Sequence, residues 1–439
     1  MNLRETADHI LKAALKAVDP YILIKEQVIR SGNILSFSGD MQLDLSQFKR
    51  VFVCGAGKGT APMARAMEEV LGDHLNGGNI IVKYDHLDTL KKINIFEAGH
   101  PVPDENTLTG TKKLLNSLED LNETDCVFVL LTGGGSALME SLPQGITLQD
   151  LQNLSSVLLE CGANIHEINC IRKHISLIKG GQLARKIHPA RCVTLALSDV
   201  IGDSLSVIAS GPSSPDPTTF EDALAIIERF DIRKKIPVVI LRYLEQGSKG
   251  KHPDTPKSDD VIFENVVNLV IGNNRLALKT AETKAKSFDF NTLILTSLLE
   301  GEAREIARVI SSIIREIQST QIPLKKPACV LLGGEPTVQI SGTGKGGRNQ
   351  ELALAVACTN IQEPFIFVSC GTDGTDGPTD AAGAVVDETT LKRAVSAGLN
   401  SGEFLANNDA YNFFKPLNDL LMLGPTGTNV MDIIFILVP

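Results

Sequence analysis

Short, mostly apolar runs alternate with segments of helical periodicity along the whole chain. Runs of about 4 to 8 apolar residues bounded by glycine are typical of buried β-strands. The predicted strands are residues 50–54, 126–131, 192–197, 266–271, 292–296, 329–332, 365–369 and 433–437. The predicted helices are residues 3–18, 61–71, 108–118, 148–161, 170–187, 275–286, 302–318 and 349–358. This alternation predicts an α/β fold with doubly wound, Rossmann-like parallel or mixed sheets.

One polar segment interrupts the alternation. Residues 246–260 are rich in Pro and Gly and lack periodicity, which is typical of a surface linker. We therefore expect an N-terminal α/β domain over residues 1–245 and a C-terminal α/β domain over residues 261–439. Both domains carry glycine-rich loops directly after their predicted strands, where open α/β sheets bind ligands. We expect a polar cleft between the two domains.

Composition narrows the function classes. The net charge of -10, the absence of Trp and the 4 Tyr argue against nucleic-acid binding. No apolar run approaches the roughly 20 residues that span a bilayer, so we expect no membrane-spanning segment. The 8 cysteines are dispersed without a C-x-x-C pair, and the acidic first helix does not read as a signal peptide. These features favour reduced thiols and a cytoplasmic location.

The most informative stretch is the glycine-rich loop from Gly342 to Arg348. Gly344 and Gly347 allow close approach of a ligand to the backbone. Lys345 and Arg348 add positive charge at the predicted start of a helix, where amides favour anions. The loop therefore predicts phosphate binding. Its glycine spacing also matches the dinucleotide fingerprint, but the acid about 20 residues on, Glu363, lies before the next predicted strand and not at its end, where a ribose-binding acid is expected.

Two loops of the N-terminal half share these properties. One follows the first predicted strand and carries a lysine; it fits neither the P-loop nor the dinucleotide spacing. The other offers consecutive amides and a hydroxyl, as in an anion-binding nest, and lacks the G-x-S-x-G context of a nucleophilic serine. The phosphate-binding candidates in these loops are Gly55, Gly57, Lys58, Gly133, Gly134, Gly135 and Ser136.

Carboxylates on glycine-rich loops are suited to Mg²⁺, which one or two acids hold together with water and phosphate. The metal candidates are Asp199, Asp203, Glu335, Asp373 and Asp376. Each has an ordinary alternative role as a turn former or helix cap. The predicted helix 170–187 places Arg172 and Lys179 two turns apart on a similar face, to hold a substrate carboxylate or phosphate. A solvated basic face is the alternative.

Cations on glycine-rich loops, acids suited to Mg²⁺ and two domains are typical of phosphoryl transfer, in which positioning and charge neutralisation dominate. The residues favour a kinase that acts on a small molecule. An NAD(P)-dependent oxidoreductase of a small hydroxy acid and a non-catalytic phosphosugar-binding protein are the alternatives.

Short motifs follow one another in order along nearly the whole chain, among them Gly55-Ala-Gly57-Lys58, Gly99-His100-Pro-Val-Pro103-Asp104, Gly133-Gly-Gly-Ser136, Leu197-Ser-Asp199-Val, Gly333 to Thr337, Gly344 to Glu351, Thr372 to Gly383 and Thr426-Gly-Thr-Asn429. In this order they closely resemble the glycerate 2-kinase family. The resemblance implies ATP-dependent phosphorylation of D-glycerate to 2-phosphoglycerate with a divalent metal such as Mg²⁺. By motif match it implies Lys58 and Arg348 as the catalytic residues. The oligomeric state stays open, a homodimer being one expectation.

Overall fold

The computed structural model describes residues 2–38 and 41–439. The helices are α1 (Leu3–Ala17), α2 (Pro20–Gln27), α3 (Thr60–Leu71), α4 (Glu105–Asn116), α5 (Gly135–Leu138), α6 (Leu148–Glu160), α7 (Ile165–His174), α8 (Gln182–Ile187), α9 (Phe220–Arg229), α10 (Val238–Ser248), α11 (Asn274–Lys286), α12 (Ala303–Thr320), α13 (Arg348–Cys358), α14 (Thr390–Ser396), α15 (Ser401–Ala406) and α16 (Ala410–Phe414). The strands are β1 (Val28–Ser31), β2 (Ile34–Phe37), β3 (Gln42–Asp44), β4 (Arg50–Ala56), β5 (Leu75–Lys83), β6 (Ile93–Ala98), β7 (Asp125–Leu131), β8 (Arg191–Leu197), β9 (Val266–Gly272), β10 (Asn291–Leu299), β11 (Ala328–Gly334), β12 (Ile366–Gly371), β13 (Gly383–Asp387), β14 (Leu420–Leu421) and β15 (Asp432–Val438).

The chain divides into two compact units, one of which is the continuous segment Pro20–Ile271. This unit holds a six-stranded sheet in the order β6-β5-β4-β7-β8-β9 and a small antiparallel sheet of β1, β2 and β3. All residues of β7 are buried, as expected for a strand covered on both faces. Strands β4, β5, β6, β7 and β8 pair in parallel, so their carboxyl ends lie at one edge of the sheet.

The other unit contains Gly272–Pro439 together with the chain up to Asp19. Its six-stranded sheet has the order β10-β11-β15-β12-β13-β14 and mixed directions. Helix α12 packs on this sheet through apolar residues spaced three or four apart, among them Ile306, Ile310 and Ile314. Strand β15 runs antiparallel to both β11 and β12. Its first residue therefore lies at the edge formed by the carboxyl ends of β11 and β12.

The α/β class predicted from the sequence is confirmed, with one sheet whose pairings are parallel over five strands and one mixed sheet. The predicted helix over residues 170–187 is wrong. Helix α7 ends at His174 and α8 starts at Gln182, and Gly180 and Gly181 between them have left-handed φ angles of 55° and 82°. A single right-handed helix cannot run through residues with such angles. Arg172 and Lys179 consequently do not share a helix face.

The division into units differs from the predicted boundaries. Residues 246–260 begin within α10, and later ones are tied to the first unit: Asp216 N donates to Pro256 O at 2.9 Å, and Asp254 lies 3.0 Å from His174 Nε2. Strand β9 joins the first sheet beside β8, whereas α1 belongs with the second unit. Among the helices of the described residues, none is long and apolar enough to cross a membrane.

Candidate functional site

The loops that follow β4 and β7 contact each other at the edge of the first sheet. Lys58 N donates to Gly133 O at 2.9 Å, and Gly59 N donates to Thr132 Oγ1 at 2.9 Å. A Cβ on Gly57, whose φ is 146°, would lie 2.0 Å from Thr132 Oγ1. Glycine is therefore required at this position for the two loops to meet. The structure thus brings two predicted phosphate-binding loops together.

His100 adds a third loop to this edge. A Cβ on Gly134 would lie 2.8 Å from His100 Cδ2 and 3.5 Å from Lys58 Cγ, so the three residues are neighbours. Gly134 also has a left-handed φ of 86°. His100 follows β6 and was not among the site residues predicted from the sequence. The motif Gly99-His100-Pro-Val-Pro103-Asp104 was the available signal, but the strand before it, β6, was not predicted.

Ser136 and Arg172, predicted for different ligands, contact each other. Arg172 Nη2 donates to Ser136 O at 3.3 Å. The Ser136 hydroxyl lies 2.7 Å from Ser210 Oγ, and Ser210 Oγ donates to Asn169 Oδ1 at 2.8 Å. Burial lowers the pKa of Arg172, an effect that the charge of Glu140 partly offsets. Ser210 and Asn169 are both buried and are not among the site residues that the sequence predicts.

Lys179 is fully buried and makes an internal ion pair. Its Nζ lies 2.7 Å from Glu140 Oε2 and 2.9 Å from Met139 O. Burial lowers the pKa of Lys179 to about 8, although Glu140 favours the charged form. In this structure the Lys179 ammonium group contacts protein atoms and does not face an open surface, which does not support the substrate-binding role predicted for Lys179. The acids Asp199 and Asp203 lie on the loop after β8, and both are partly exposed.

In the second unit, Arg348 is the first residue of α13 and is held by two carboxylates. Its Nε and Nη2 donate to Asp432 at 2.6 and 3.0 Å, and its Nη1 donates to Glu335 at 2.7 Å. Burial opposes the charged guanidinium, but the bonds to Asp432 outweigh it and raise the pKa of Arg348 above its ordinary value. Asp432 is fully buried, and this burial raises its pKa to about 6 against the opposing effect of Arg348.

The glycine-rich loop before α13 packs on residues 407–411. Its amides at Gly342, Thr343, Gly344 and Lys345 donate to oxygens of Asn407, Asn408 and Asp409 at 2.8 to 3.0 Å. The Lys345 ammonium lies 4.3 Å from the centre of the Tyr411 ring. The amides expected to bind phosphate therefore have protein acceptors in this structure. Gly344 and Lys345 consequently have an observed packing role.

Asp376 caps helix α13 through both carboxylate oxygens. Oδ1 accepts from Asn349 N at 3.1 Å, and Oδ2 accepts from Gln350 N at 2.9 Å. A Cβ on Gly347 would lie 2.3 Å from Asp376 Cγ, so glycine makes room for this cap. Burial raises the pKa of Asp376, while the two amides lower it. The sequence predicts that amides at the start of α13 bind phosphate. Two of these amides bind the Asp376 carboxylate instead.

Comparison with known proteins assigns the chain to a family. Two family models match it: "Domain of unknown function (DUF4147)" over residues 6–245 and "MOFRL family" over residues 328–432. A protein of Thermotoga maritima named D-glycerate 2-kinase is 43% identical over 436 residues, which cover 99% of this chain and 98% of that protein. The chain belongs to the glycerate 2-kinase family.

Other relatives of this glycerate 2-kinase family member cover most of its length as well. The crystal structure of a glycerate kinase from Thermotoga maritima superposes with a TM-score of 0.88 at 43% identity and covers 100% of this chain and 99% of that one. A protein of Agrobacterium vitis named putative hydroxypyruvate reductase is 41% identical over 392 residues, 89% of this chain and 87% of that protein.

The carboxylates among the described residues of this glycerate 2-kinase family member do not form a metal cage. Within residues 2–38 and 41–439, no three His, Cys, Asp or Glu side chains are grouped to hold a metal ion. In phosphoryl transfer, however, Mg²⁺ is typically held by one or two carboxylates, water and substrate phosphates. Glu335 and Asp373 lie on the loops after β11 and β12, and neither is buried. The arrangement therefore fits a metal that binds together with phosphate.

Proposed function

We propose that this member of the glycerate 2-kinase family transfers the γ-phosphoryl group of ATP to the 2-hydroxyl of D-glycerate and releases 2-phosphoglycerate. The family assignment makes the protein a phosphotransferase with an alcohol group as acceptor. The observation that supports the specific acceptor is the 43% identity, over 99% of the chain, to a protein named D-glycerate 2-kinase. Position 2 of glycerate and the use of Mg²⁺ are parts of the proposal.

We assign Lys58 and Arg348 to charge neutralisation during transfer. Lys58 lies at the edge of the parallel sheet beside Gly134, on a turn that can approach phosphate closely. Arg348 has a fixed guanidinium orientation, because its fork of donors meets one carboxylate at two points. In phosphoryl transfer, fixed cations stabilise charge on the transferring oxygens.

The candidates for Mg²⁺ in this proposal are Glu335 and Asp373, since both are accessible. Asp376 is less suited, because both of its oxygens accept hydrogen bonds from α13. Mg²⁺ bound with ATP would supply charge neutralisation on the phosphate oxygens. Asp199 and Asp203 remain candidates on the loop after β8.

A coupled assay tests the acceptor and the position of transfer together. Purified protein is incubated with D-glycerate, ATP and Mg²⁺, alongside a panel of other hydroxy acids, and ADP release is followed. The product is then given to enolase alone, and phosphoenolpyruvate is expected. A product that forms phosphoenolpyruvate only after addition of phosphoglycerate mutase would contradict transfer to the 2-hydroxyl.

The oxidoreductase alternative has one supporting observation, the relative named putative hydroxypyruvate reductase. The geometry argues against it, because a dinucleotide fingerprint requires free amides at the start of the helix for the pyrophosphate. In α13 two of these amides bind Asp376. We expect no oxidation of NADH or NADPH with hydroxypyruvate. Oxidation without ATP-dependent phosphorylation would reverse the assignment, and the absence of ATP turnover with any acceptor would favour a binding protein.

A further inference from the structure

Arg172 is partly buried, and its guanidinium has no anionic partner among the described residues. Its one hydrogen bond within the described part of the chain runs from Nη2 to Ser136 O at 3.3 Å, and its Nε is buried with no partner. No carboxylate of the described residues lies within ion-pair distance of it. Glu140 is already occupied, 2.7 Å from Lys179 Nζ and 2.5 Å from Ser176 Oγ. A partly buried cation whose Nε is withheld from water without a partner favours an anionic ligand at this position.

The neighbouring hydroxyls form a chain with a defined direction. Ser210 Oγ donates its single hydrogen to Asn169 Oδ1 at 2.8 Å. In the 2.7 Å contact with Ser136, Ser210 must therefore accept and Ser136 must donate. Ser136 has then used its only hydrogen, and its oxygen keeps a lone pair for an incoming donor. A ligand hydroxyl is such a donor.

The backbone around Ser210 is held in an uncommon conformation. Ala209 and Ser210 have left-handed φ angles of 49° and 60°, which residues other than glycine rarely adopt. Two amides of the turn after α7 hold this conformation, since Gly180 N donates to Ser210 O at 3.0 Å and Gly181 N donates to Gly211 O at 2.8 Å. The packed turn thus aims the Ser210 hydroxyl at Ser136.

We infer that Arg172 and Ser136 form the subsite for the phosphoryl acceptor, in which Arg172 binds a carboxylate and Ser136 accepts a hydrogen bond from a ligand hydroxyl. Ser210 and Asn169 are positioning residues that fix the direction of the Ser136 hydroxyl. The ligand class is a hydroxy carboxylate. The inference rests on the proposed function for the identity of the acceptor, and it moves Ser136 from the nucleotide to the acceptor.

The test compares Arg172→Gln with Arg191→Gln. Arg191 is a matched control, because its Nε is also buried without a partner but it begins β8, at the opposite edge of the sheet from Ser136. Binding of D-glycerate without ATP is measured by calorimetry, and KM is measured for D-glycerate and for ATP. Arg172→Gln should weaken D-glycerate binding by roughly 10- to 100-fold and change the KM for ATP by less than about twofold. Arg191→Gln should change neither.

Glycerol, which lacks the carboxylate, supplies a second readout. The preference of the parent for D-glycerate over glycerol should shrink in Arg172→Gln by the same factor as D-glycerate binding. Unchanged D-glycerate binding, or a rise confined to the KM for ATP, would overturn the inference. If the parent binds D-glycerate through Arg172 but turns over no ATP, the subsite stands and the proposed kinase activity fails.

A second variant keeps the inference testable if Arg172→Gln does not fold. Ser210→Ala removes the acceptor of the Ser136 hydrogen but leaves the charge of Arg172. It should raise the KM for D-glycerate several-fold, roughly 3- to 10-fold, with the KM for ATP unchanged. Equal effects on both KM values, or none, would show that the hydroxyl chain is structural.

Discussion

Arg348 and Asp432 are joined by a two-point contact in which Nε and Nη2 donate to the two carboxylate oxygens at 2.6 and 3.0 Å. Such a contact fixes the plane of the guanidinium as well as its position. It exists because β15 runs antiparallel to β11 and β12, which places Asp432 opposite Gly334 and Gly371 at the edge where α13 begins. Asp432 is thus positioned to orient the proposed catalytic arginine.

We predict that Asp432→Asn lowers kcat by roughly 10- to 100-fold while the KM for ATP changes little, because a misplaced cation stabilises the transition state less well. Asp419→Asn is the matched control. Asp419 is also fully buried and also bonded to arginines, with Arg4 and Arg393 each at 2.7 Å. Both variants should lose stability in urea. A comparable fall of kcat in both would mean that Asp432 acts only through stability.

The same pair predicts a pH dependence of turnover. Burial raises the pKa of Asp432 to about 6, from an ordinary value near 3.8. As the pH falls through about 6, protonation should remove the charge that orients Arg348, and kcat should fall. In Asp432→Asn this acidic limb should be absent, since the amide does not titrate. An identical acidic limb in the parent and the variant would assign it to another group.

We predict that Asp376 acts as the cap of helix α13 and that Asp373 acts as a metal ligand. Asp376→Asn replaces an oxygen that accepts from an α13 amide by a donor, so it should cost about 1–2 kcal/mol of unfolding free energy. Asp373→Asn, at a partly exposed site, should cost less but raise the Mg²⁺ concentration needed for half-maximal rate. Denaturant melts and Mg²⁺ titrations of both variants decide this. The reverse pattern would return Asp376 to the metal.

His174 predicts a pH dependence of stability in the first unit. Its Nδ1 lies 2.7 Å from Cys170 O and its Nε2 lies 3.0 Å from Asp254 Oδ1, so both nitrogens face acceptors and the ring is charged. Burial alone would lower the pKa of His174, but the bonds to Asp254 and Cys170 outweigh it and raise the pKa to about 9. The stabilisation is therefore fully present below about pH 6.5 and is lost as the pH rises through about 9.

Melting curves of the parent, His174→Gln and Asp254→Asn between pH 6 and pH 10 test this expectation. The difference in Tm between the parent and either variant should be largest near pH 6 and shrink toward pH 10. Because each Tm difference is taken at a single pH, the effects of groups that titrate in all three proteins cancel. A constant difference across this range would show that the ring is neutral in the folded protein.

Most strands that bear the site loops were predictable, β6 before His100 being the exception, whereas the partners of the loop residues were not. Buried strands such as β7 are continuous apolar runs, so their positions are visible in the sequence. The contact of Arg348 with Asp432 spans 84 residues and depends on the register of an antiparallel strand, which no local pattern encodes. An acid at the first position of an apolar strand was the available signal.

The error over residues 170–187 has a local cause. Apolar residues at Ile171, Ile175 and Ile178 continue the helical spacing through a segment that is not helical. The glycine pair Gly180-Gly181 was the contrary signal, since both residues adopt left-handed angles there. Hydrophobic periodicity alone therefore placed Lys179 on a helix face with Arg172. Its burial and its ion pair with Glu140 could not be predicted from residue spacing.

Lys58 and Arg348 lie in different units, and kinetics can test whether they serve one transition state. If each stabilises charge only during transfer, Lys58→Ala and Arg348→Ala should each lower kcat by about 10²–10³-fold, with a smaller effect on ATP binding. The double variant should then be less impaired than the product of the two single effects, because groups that act as a unit are not additive.

Lys49→Ala is the control for loss of a lysine, since Lys49 is exposed and precedes β4, at the opposite end of that strand from Lys58. Its kcat should match the parent. Full multiplicativity of the two effects would argue against a shared step, and parental turnover in either single variant would remove that residue from the catalytic assignment.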